Sequence, residues 1–495
     1  MENAELIKAR RSEAWREELR KKYTGKERAS FQRVEMPSLD GAYRARNHEE
    51  VSLGLTEEQA RGEARRCLDC VNPTCMQGCP VSIHIPTFVK NIERGDFLEA
   101  ARVIRETSSL PGVCGRVCPQ EKQCESTCIY TQKMNKPAVA IGFLERFAAD
   151  REREVLSKST GKSDNDHSAK PKGKKVAVVG SGPAGLSCAG DLAKYGYDVT
   201  VFEALHELGG VLRYGIPEFR LPNDIVDFEI DRMKEAGVKF EPNTIIGKTM
   251  SYEDLKNEGF EAVFVGSGAG LPRFMHIPGE NLVGVMSSNE YLTRVNLMQA
   301  GNPAADTPVS KGKRVAVIGG GNTAMDSVRT ALRLGAERAI IVYRRSEAEM
   351  PARLEEVHHA KDEGVEFMTL HNPVEYLDNG KGRVRAMRVQ RMELGEPDAS
   401  GRRSPVPVPG AIEEIEVDEV IVSVGVSPNP LIPRNFSGLN VTKRDTIVVN
   451  PDNNETDLPD VFAGGDIVRG GATVILAMGD GRKAAAGIHA YLSAR

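Results

Sequence analysis

Aromatic residues make up only 5% of the chain, with a single tryptophan. No stretch approaches the roughly 18 consecutive apolar residues that a membrane helix needs. With 66 basic and 70 acidic residues the net charge is −4. That balance provides no basic field for nucleic acid and no polybasic anchor for a membrane surface. Cysteine does not recur after Cys188, which argues against a redox-active dithiol in the second half. The opening residues, MENAELIKARRSEAWREELRKKYTG, are charged throughout and lack the apolar centre of a secretory signal. The expectation is therefore a cytoplasmic protein without membrane or nucleic-acid partners.

Against these shortages stand 48 glycines and a crowd of cysteines near the start. At 495 residues the chain exceeds one core, and two or three domains are expected. Eight of nine cysteines lie between Cys67 and Cys128. They run Cys67-x2-Cys70-x4-Cys75-x3-Cys79-Pro80 and Cys114-x3-Cys118-Pro119-x4-Cys124-x3-Cys128. Such spacings let short loops wrap a metal centre, and in a reducing compartment they point to metal or redox chemistry before disulfides. Eight thiolates suffice for two iron–sulfur clusters or for two structural zinc sites. Around them the pattern is helical. From Ile85, the residues Phe88, Ile92, Phe97, Ala101 and Ile104 recur at helix spacing between charges. The fold class expected is an N-terminal α-helical iron–sulfur domain at 1–154, followed after a polar linker at 155–173 by two α/β Rossmann-like domains. The first of these takes 174–295 and 451–495, the second 296–450.

The α/β expectation rests on an internal echo, VAVVGSGPAG from Val176 and VAVIGGGNTA from Val315. In the first, a buried strand runs into Gly180, Ser181, Gly182, Pro183, Ala184 and Gly185 and then a helix. Gly180 permits the tight turn, Gly182 lets backbone approach a pyrophosphate, and Gly185 lets helix and strand pack closely. The next strand ends at Glu203, placed to accept from a ribose diol. In the second, Gly319, Gly320, Gly321, Asn322 and Thr323 open the helix, and the following strand ends at Arg344 and Arg345 rather than an acid. Guanidinium groups there bind a 2′-phosphate, which favours NADP over NAD; the alternative is a solvated arginine pair. Near the end, Gly465 and Asp466 follow another buried strand. Asp466 there is either a partner for a ribityl hydroxyl or a helix cap.

These motifs, with RCLDCVNPTCMQGCPV from Arg66, LPGVCGRVCPQEKQCESTC from Leu110, GGVLRYGIPEFRLP, VYRRSEAEMPA and FAGGDIVRGGATVILAMGDGRKAA, resemble the glutamate synthase (NADPH) small-subunit family over nearly the whole chain. The large subunit of NADH-dependent ferredoxin:NADP oxidoreductase and the N-terminal half of dihydropyrimidine dehydrogenase are similar too. The resemblance implies FAD, NADPH and two [4Fe–4S] clusters. It implies Cys67, Cys70, Cys75 and Cys128 for one cluster, and Cys79, Cys118, Cys124 and Glu145 for the other, with Cys114 as the competitor for the eighth position. It further implies FAD contacts at Gly210, Val211, Arg220, Thr473 and Val474, and an NADP contact at Arg353. The partner implied is a glutamate synthase large subunit, or alternatively a flavin-containing ferredoxin:NADP oxidoreductase small subunit. No protein general base is expected, since hydride transfer requires none. A zinc-stapled dinucleotide sensor is the reading from another class.

Overall fold

A computed structural model of the protein describes residues 2–158 and 172–495. The N-terminal part is helical, with α1 (Glu57–Arg65), α2 (Ile85–Arg94), α3 (Phe97–Arg105), α4 (Pro111–Val117) and α5 (Ile141–Lys158). The apolar repeat from Ile85 is split into two helices. Gly95 takes φ +91°, a conformation that ends a helix cheaply only at glycine. Asp96 then caps α3 by accepting from the Glu99 amide at 3.2 Å. Phe88, Ile92, Ala101 and Ile104 are all buried. A Cβ at Gly115 would lie 2.5 Å from the Arg146 backbone nitrogen, so α4 and α5 meet backbone to backbone. Helix α5 runs to Lys158, which makes the first residues of the expected linker helical; residues 159–171 lie outside the described residues.

Two five-stranded parallel sheets follow. The elements are β1 (Lys175–Val179), α6 (Pro183–Lys194), β2 (Asp198–Phe202), α7 (Asn223–Glu235), β3 (Lys239–Glu241), β4 (Phe260–Val265), β5 (Val285–Ser287), β6 (Arg314–Ile318), α8 (Asn322–Arg333), β7 (Arg338–Tyr343), α9 (Leu354–Asp362), β8 (Glu366–Thr369), β9 (His371–Asp378), β10 (Val384–Pro397), β11 (Arg403–Glu416), β12 (Glu419–Val422), β13 (Val461–Ala463) and α10 (Val474–Ser493). The first sheet has the order β13-β4-β1-β2-β3, the second β5-β12-β6-β7-β8. Their central strands, such as Val176–Val179 and Val315–Ile318, read as unbroken apolar runs because both faces are covered. An antiparallel sheet, β9-β10-β11, extends from the second.

Two crossings join the sheets, and they pair with one another, Leu271–Pro272 antiparallel to Val426–Ser427. Strand β5 belongs to the second sheet, while Ile432, Phe436, Leu439 and Ile447 pack on the first. The changes of sheet thus fall near 272 and 426, earlier than the expected 295 and 450. One apolar core runs from the N-terminal helices through Val113 and Cys114 to Leu186, Val176 and Met478 of the first sheet's layers. The helical part and the first sheet are therefore packed as one body.

Candidate cofactor cleft and cysteine centres

Both glycine turns open on a single cavity of about 1950 Å³. At the first, Gly180 takes φ +98° and a Cβ on Gly185 would lie 1.9 Å from the Gly180 oxygen, so no side chain fits either place. Gly182 differs: a Cβ there would meet nothing within 4 Å, because it would project into the cleft where a pyrophosphate fits. Helix α6 starts at that point, with Gly182 as its cap and Pro183 inside its first turn. Gly210, at φ +54°, closes from the other side, its Cβ position 2.9 Å from the Gly182 Cα. Glu203 is buried, and its carboxylate accepts from the Ser181 amide at 2.9 Å, the Ser181 hydroxyl at 2.5 Å and the Leu205 amide at 3.0 Å. Of about four lone-pair positions one stays open to the cleft, which suits a ribose hydroxyl. Ser181 itself is sealed beneath the turn and holds Gly209 through its hydroxyl oxygen.

The floor is completed by Val211, Gly465, Asp466, Thr473, Val474 and Ala477. Thr473 caps the 20-residue α10, accepting from the Leu476 amide at 3.4 Å. Asp466 accepts from the Ala472 amide at 3.0 Å, and burial raises its carboxyl to about 6. Arg220 lines the cleft but is already committed, donating to Asp326 on α8 at 2.7 Å.

At the second turn Gly319 takes φ +139° and a Cβ would lie 2.2 Å from the Ser423 oxygen, whereas the Cβ position of Gly321 has nothing nearer than 4.0 Å. Asn322 and Thr323 line the cavity. The two arginines after β7 divide. Arg344 is exposed in the cleft and, among the described residues, its side chain makes no hydrogen bond or ion pair. Arg345 is buried and engaged with Asp398 at 2.5 Å and the Arg403 carbonyl at 2.8 Å, both at the tip joining β10 to β11. That tip also brings Arg402 to the cavity wall, a cation the sequence reading did not mark because it lies far along the chain from Arg344. The expected phosphate contact at Arg353 is corrected: it is absent from the cavity lining, 3% exposed, and donates to the Arg116 carbonyl at 2.6 Å and Gln120 Oε1 at 2.8 Å. A buried guanidinium held by oxygens of another layer and by the Glu355 carboxylate at 2.7 Å is a strut, not a phosphate ligand.

The cysteines form two groups. Cys67, Cys70, Cys75 and Cys128 line one small cavity, roofed by Ile85, Val89 and Tyr130. Its walls are held by buried charge. Lys90 donates to the Cys67 carbonyl at 2.6 Å and Glu93 at 2.5 Å, Asp69 receives Arg16 and Arg20, and the Tyr130 hydroxyl donates to the Arg66 carbonyl at 2.7 Å. Burial, with the neighbouring thiols Cys67 and Cys128, pushes Cys70 up to about 12. Binding of metal there must therefore drive protons off. Cys79, Cys118 and Cys124 share the electrostatic neighbourhood of Glu145. Glu145 is 5% exposed, its Oε1 has no hydrogen-bond partner, and burial followed by Glu229 raises it to about 8. A buried, unpartnered carboxyl beside three thiols is the donor that a metal cluster would satisfy. Cys114 is also adjacent, its sulfur in contact with Cys118 and 3.4 Å from Met478 Sδ. Thiols, which both groups supply, are the donor type that an iron–sulfur cluster takes.

The second group abuts the cleft. Val117 and Pro119, on either side of Cys118, are part of the cavity wall, and a Cβ on Gly479 of α10 would come within 3.0 Å of the Pro80 carbonyl next to Cys79. The first group lies outward, with Cys67, Cys70 and Cys75 partly exposed and Val71 66% exposed.

Residues 44–156 match the model for dihydropyrimidine dehydrogenase domain II, 4Fe-4S cluster, and residues 155–481 match that for pyridine nucleotide-disulphide oxidoreductase. The glutamate synthase [NADPH] small chain of Escherichia coli (strain K12) is 38% identical over 93% of this chain and 98% of its own. The NADP(+)-dependent formate dehydrogenase subunit beta of Moorella thermoacetica is 40% identical over 85% of this chain and 60% of its own. Among solved structures, Mycobacterium tuberculosis FprA in complex with NADPH superposes with a TM-score of 0.55 over 66% of this chain and 85% of that one, at 20% identity, a likeness of fold.

Proposed function

The chain belongs to the family of the glutamate synthase [NADPH] small chain, with a pyridine nucleotide-disulphide oxidoreductase region after a 4Fe-4S domain, and from that premise we propose how its residues divide the work. It is an NADPH-dependent oxidoreductase of the FAD and iron–sulfur kind. When bound, NADPH and FAD supply hydride transfer and 4Fe-4S clusters supply single-electron transfer. The turn at Gly180–Gly185 with Glu203 holds the adenosine diphosphate part of FAD. Gly210, Val211, Gly465, Asp466, Thr473 and Val474 hold its flavin side. The turn at Gly319–Thr323 holds the nicotinamide dinucleotide, and Arg344 with Arg402 takes its 2′-phosphate. Cys67, Cys70, Cys75 and Cys128 hold one cluster; Cys79, Cys118, Cys124 and Glu145 hold a second. The supporting observation is that both glycine turns share one cavity whose wall includes the neighbours of Cys118. Val117 and Pro119 keep water out between that cavity and the second thiol group.

The partner in this reading is a glutamate synthase large subunit, which forms L-glutamate from L-glutamine and 2-oxoglutarate. A second reading, favoured by the 40% identity to a formate dehydrogenase subunit, is a different partner for the same electron-delivering part, such as a ferredoxin:NADP oxidoreductase small subunit. Purification of the complex without oxygen, with iron, sulfide and flavin counts, tests the cofactors. Assay with glutamine plus 2-oxoglutarate against ferredoxin plus NADH tests the partner. A colourless zinc protein, or a flavin left oxidised by NADPH, refutes the reading.

A further inference from the structure

Between the second glycine turn and the loop carrying Cys118 and Cys124 lies residues 351–354, bonded to both. On one side the Ala352 amide donates to the Gly320 carbonyl at 3.2 Å, and the Arg353 amide donates to Asn322 Oδ1 at 2.9 Å. These are backbone and side-chain atoms of the very turn that faces the dinucleotide. On the other side the Arg353 guanidinium donates to the Arg116 carbonyl and Gln120 Oε1, at 2.6 and 2.8 Å, and Gln120 in turn donates to the Cys114 carbonyl at 3.5 Å. Lys122 reaches back across the gap, its ammonium donating to the Pro351 and Ala352 carbonyls at 2.9 and 3.2 Å. Residues 116, 120 and 122 flank Cys118 and lead to Cys124. The contacts join segments far apart in sequence, are charge-assisted at Arg353 and Lys122 and, at Arg353, buried, so movement of either loop changes the hydrogen bonds of the other.

We propose that Arg353 is a positioning residue that couples occupancy of the dinucleotide turn to the cluster held by Cys79, Cys118, Cys124 and Glu145. The inference rests on the ligand set given above. Coupling between two sites is reciprocal: if nucleotide binds the protein differently when that cluster is reduced, nucleotide must shift the cluster's potential by the equivalent amount. Couplings of this kind are commonly about fivefold or more, and a tenfold difference in affinity is ~59 mV for a one-electron centre.

The test uses the oxygen-protected holoenzyme and 2′-phospho-ADP-ribose, which has the phosphates and both riboses of NADP but no nicotinamide and so cannot itself be reduced. Paramagnetic-resonance titration gives each cluster potential with and without this probe. In the unaltered protein the probe shifts one cluster's potential by the equivalent of at least about fivefold in affinity. Arg353→Met, which keeps the amide bond to Asn322 and loses the guanidinium, abolishes the shift while probe affinity in the oxidised protein stays within about twofold. Lys122→Ala, on the exposed side of the same contact, diminishes the shift and guards against a folding defect in the buried variant. Hydrogen exchange of the 116–122 amides gives an independent reading, slowed by the probe in the unaltered protein and indifferent to it in Arg353→Met. A normal pair of cluster signals with no probe-dependent shift, or a shift that survives both substitutions, overturns the proposal. Loss of the second cluster's signal from the unaltered protein overturns the ligand set beneath it instead.

Discussion

Replacing Arg344 separates a phosphate contact from a structural one, because the structure gives its neighbour a different task. Arg345 is neutralised by Asp398 and buried, so its removal would leave an unpaired carboxylate and loosen the tip between β10 and β11. Arg344 is exposed in the cleft with no ion pair of its own among the described residues, so a substrate phosphate need not displace any protein partner to reach it. The whole contact is then available for binding. A hydrogen bond to a charged group contributes about 1.5–3 kcal/mol. At 1.4 kcal/mol per tenfold, Arg344→Ala should lower kcat/KM for NADPH by roughly 10- to 150-fold. An exposed alanine there should change stability by no more than about 0.5 kcal/mol. NADH has no phosphate to lose, so its kcat/KM should stay within about twofold. The assay is steady-state reduction of an artificial acceptor with each nucleotide, repeated at higher salt, where the NADPH advantage of the unaltered enzyme should shrink. An equal fall for NADPH and NADH would refute the reasoning, because it would place Arg344 against a part common to both nucleotides.

Other outcomes follow from single contacts. Gly182→Ala should fold normally, since its Cβ meets nothing in the protein, yet desalt without flavin; Gly185→Ala, with its Cβ 1.9 Å from a backbone oxygen, should lose ~1–3 kcal/mol of stability as well, read by denaturant melts and the flavin-to-protein absorbance ratio. Burial alone would raise Glu363, but Arg329 and Arg333 outweigh it and hold its carboxyl at about 2. Because Arg44, Arg329 and Arg333 all converge on this one buried carboxylate, Glu363→Ala should cost ~3–5 kcal/mol in chemical denaturation and expose the segment around Arg44 to protease. Asp466, raised by burial from 3.8 to about 6, holds a proton in the folded flavin-free protein that the unfolded chain has released. Its contribution is complete below the unfolded value and is lost as pH rises through 6, so between pH 5 and 7 the unaltered protein should lose about 1–2 kcal/mol more than Asp466→Asn, allowing for partial exposure.

Local signals in the sequence carried the dinucleotide turns far, because the demands on Gly180, Gly185 and Gly319 are set within a few residues. A positive φ or a 2 Å approach leaves glycine no substitute, so the motif survives as text. The grouping of cysteines is another matter. Cys128 joins Cys67, Cys70 and Cys75 only after the chain has passed through α2, α3 and α4, and spacing alone would have given each cluster its own run of four. The family resemblance supplied that pairing; in the fold the four thiols line one cavity. The crossings between sheets were placed too late for a related reason. Strand β5 has only three residues and no periodicity of its own, and its assignment is decided by pairing with β12 more than 130 residues on.

The arginines mark where residue type stops carrying information. Arg344, Arg345 and Arg353 are chemically alike and lie within ten positions of one another, yet one is exposed in the cleft, one is locked by Asp398, and one is buried against the cysteine loop. What separates them is the location of acceptors contributed from elsewhere: Asp398 at a hairpin tip, and the Arg116 carbonyl in a helix of the N-terminal part. Glu145 teaches the same lesson in reverse. In sequence it is one of many acids on an amphipathic helix, whereas in the fold its Oε1 is buried without a donor while the cysteines around it are already crowded. An acid left in that state keeps its proton, as its rise to about 8 shows, until something cationic takes the proton's place. The family resemblance pointed to Glu145 by position alone; the physical reason for it, an unmet need for a partner, exists only once the chain has folded.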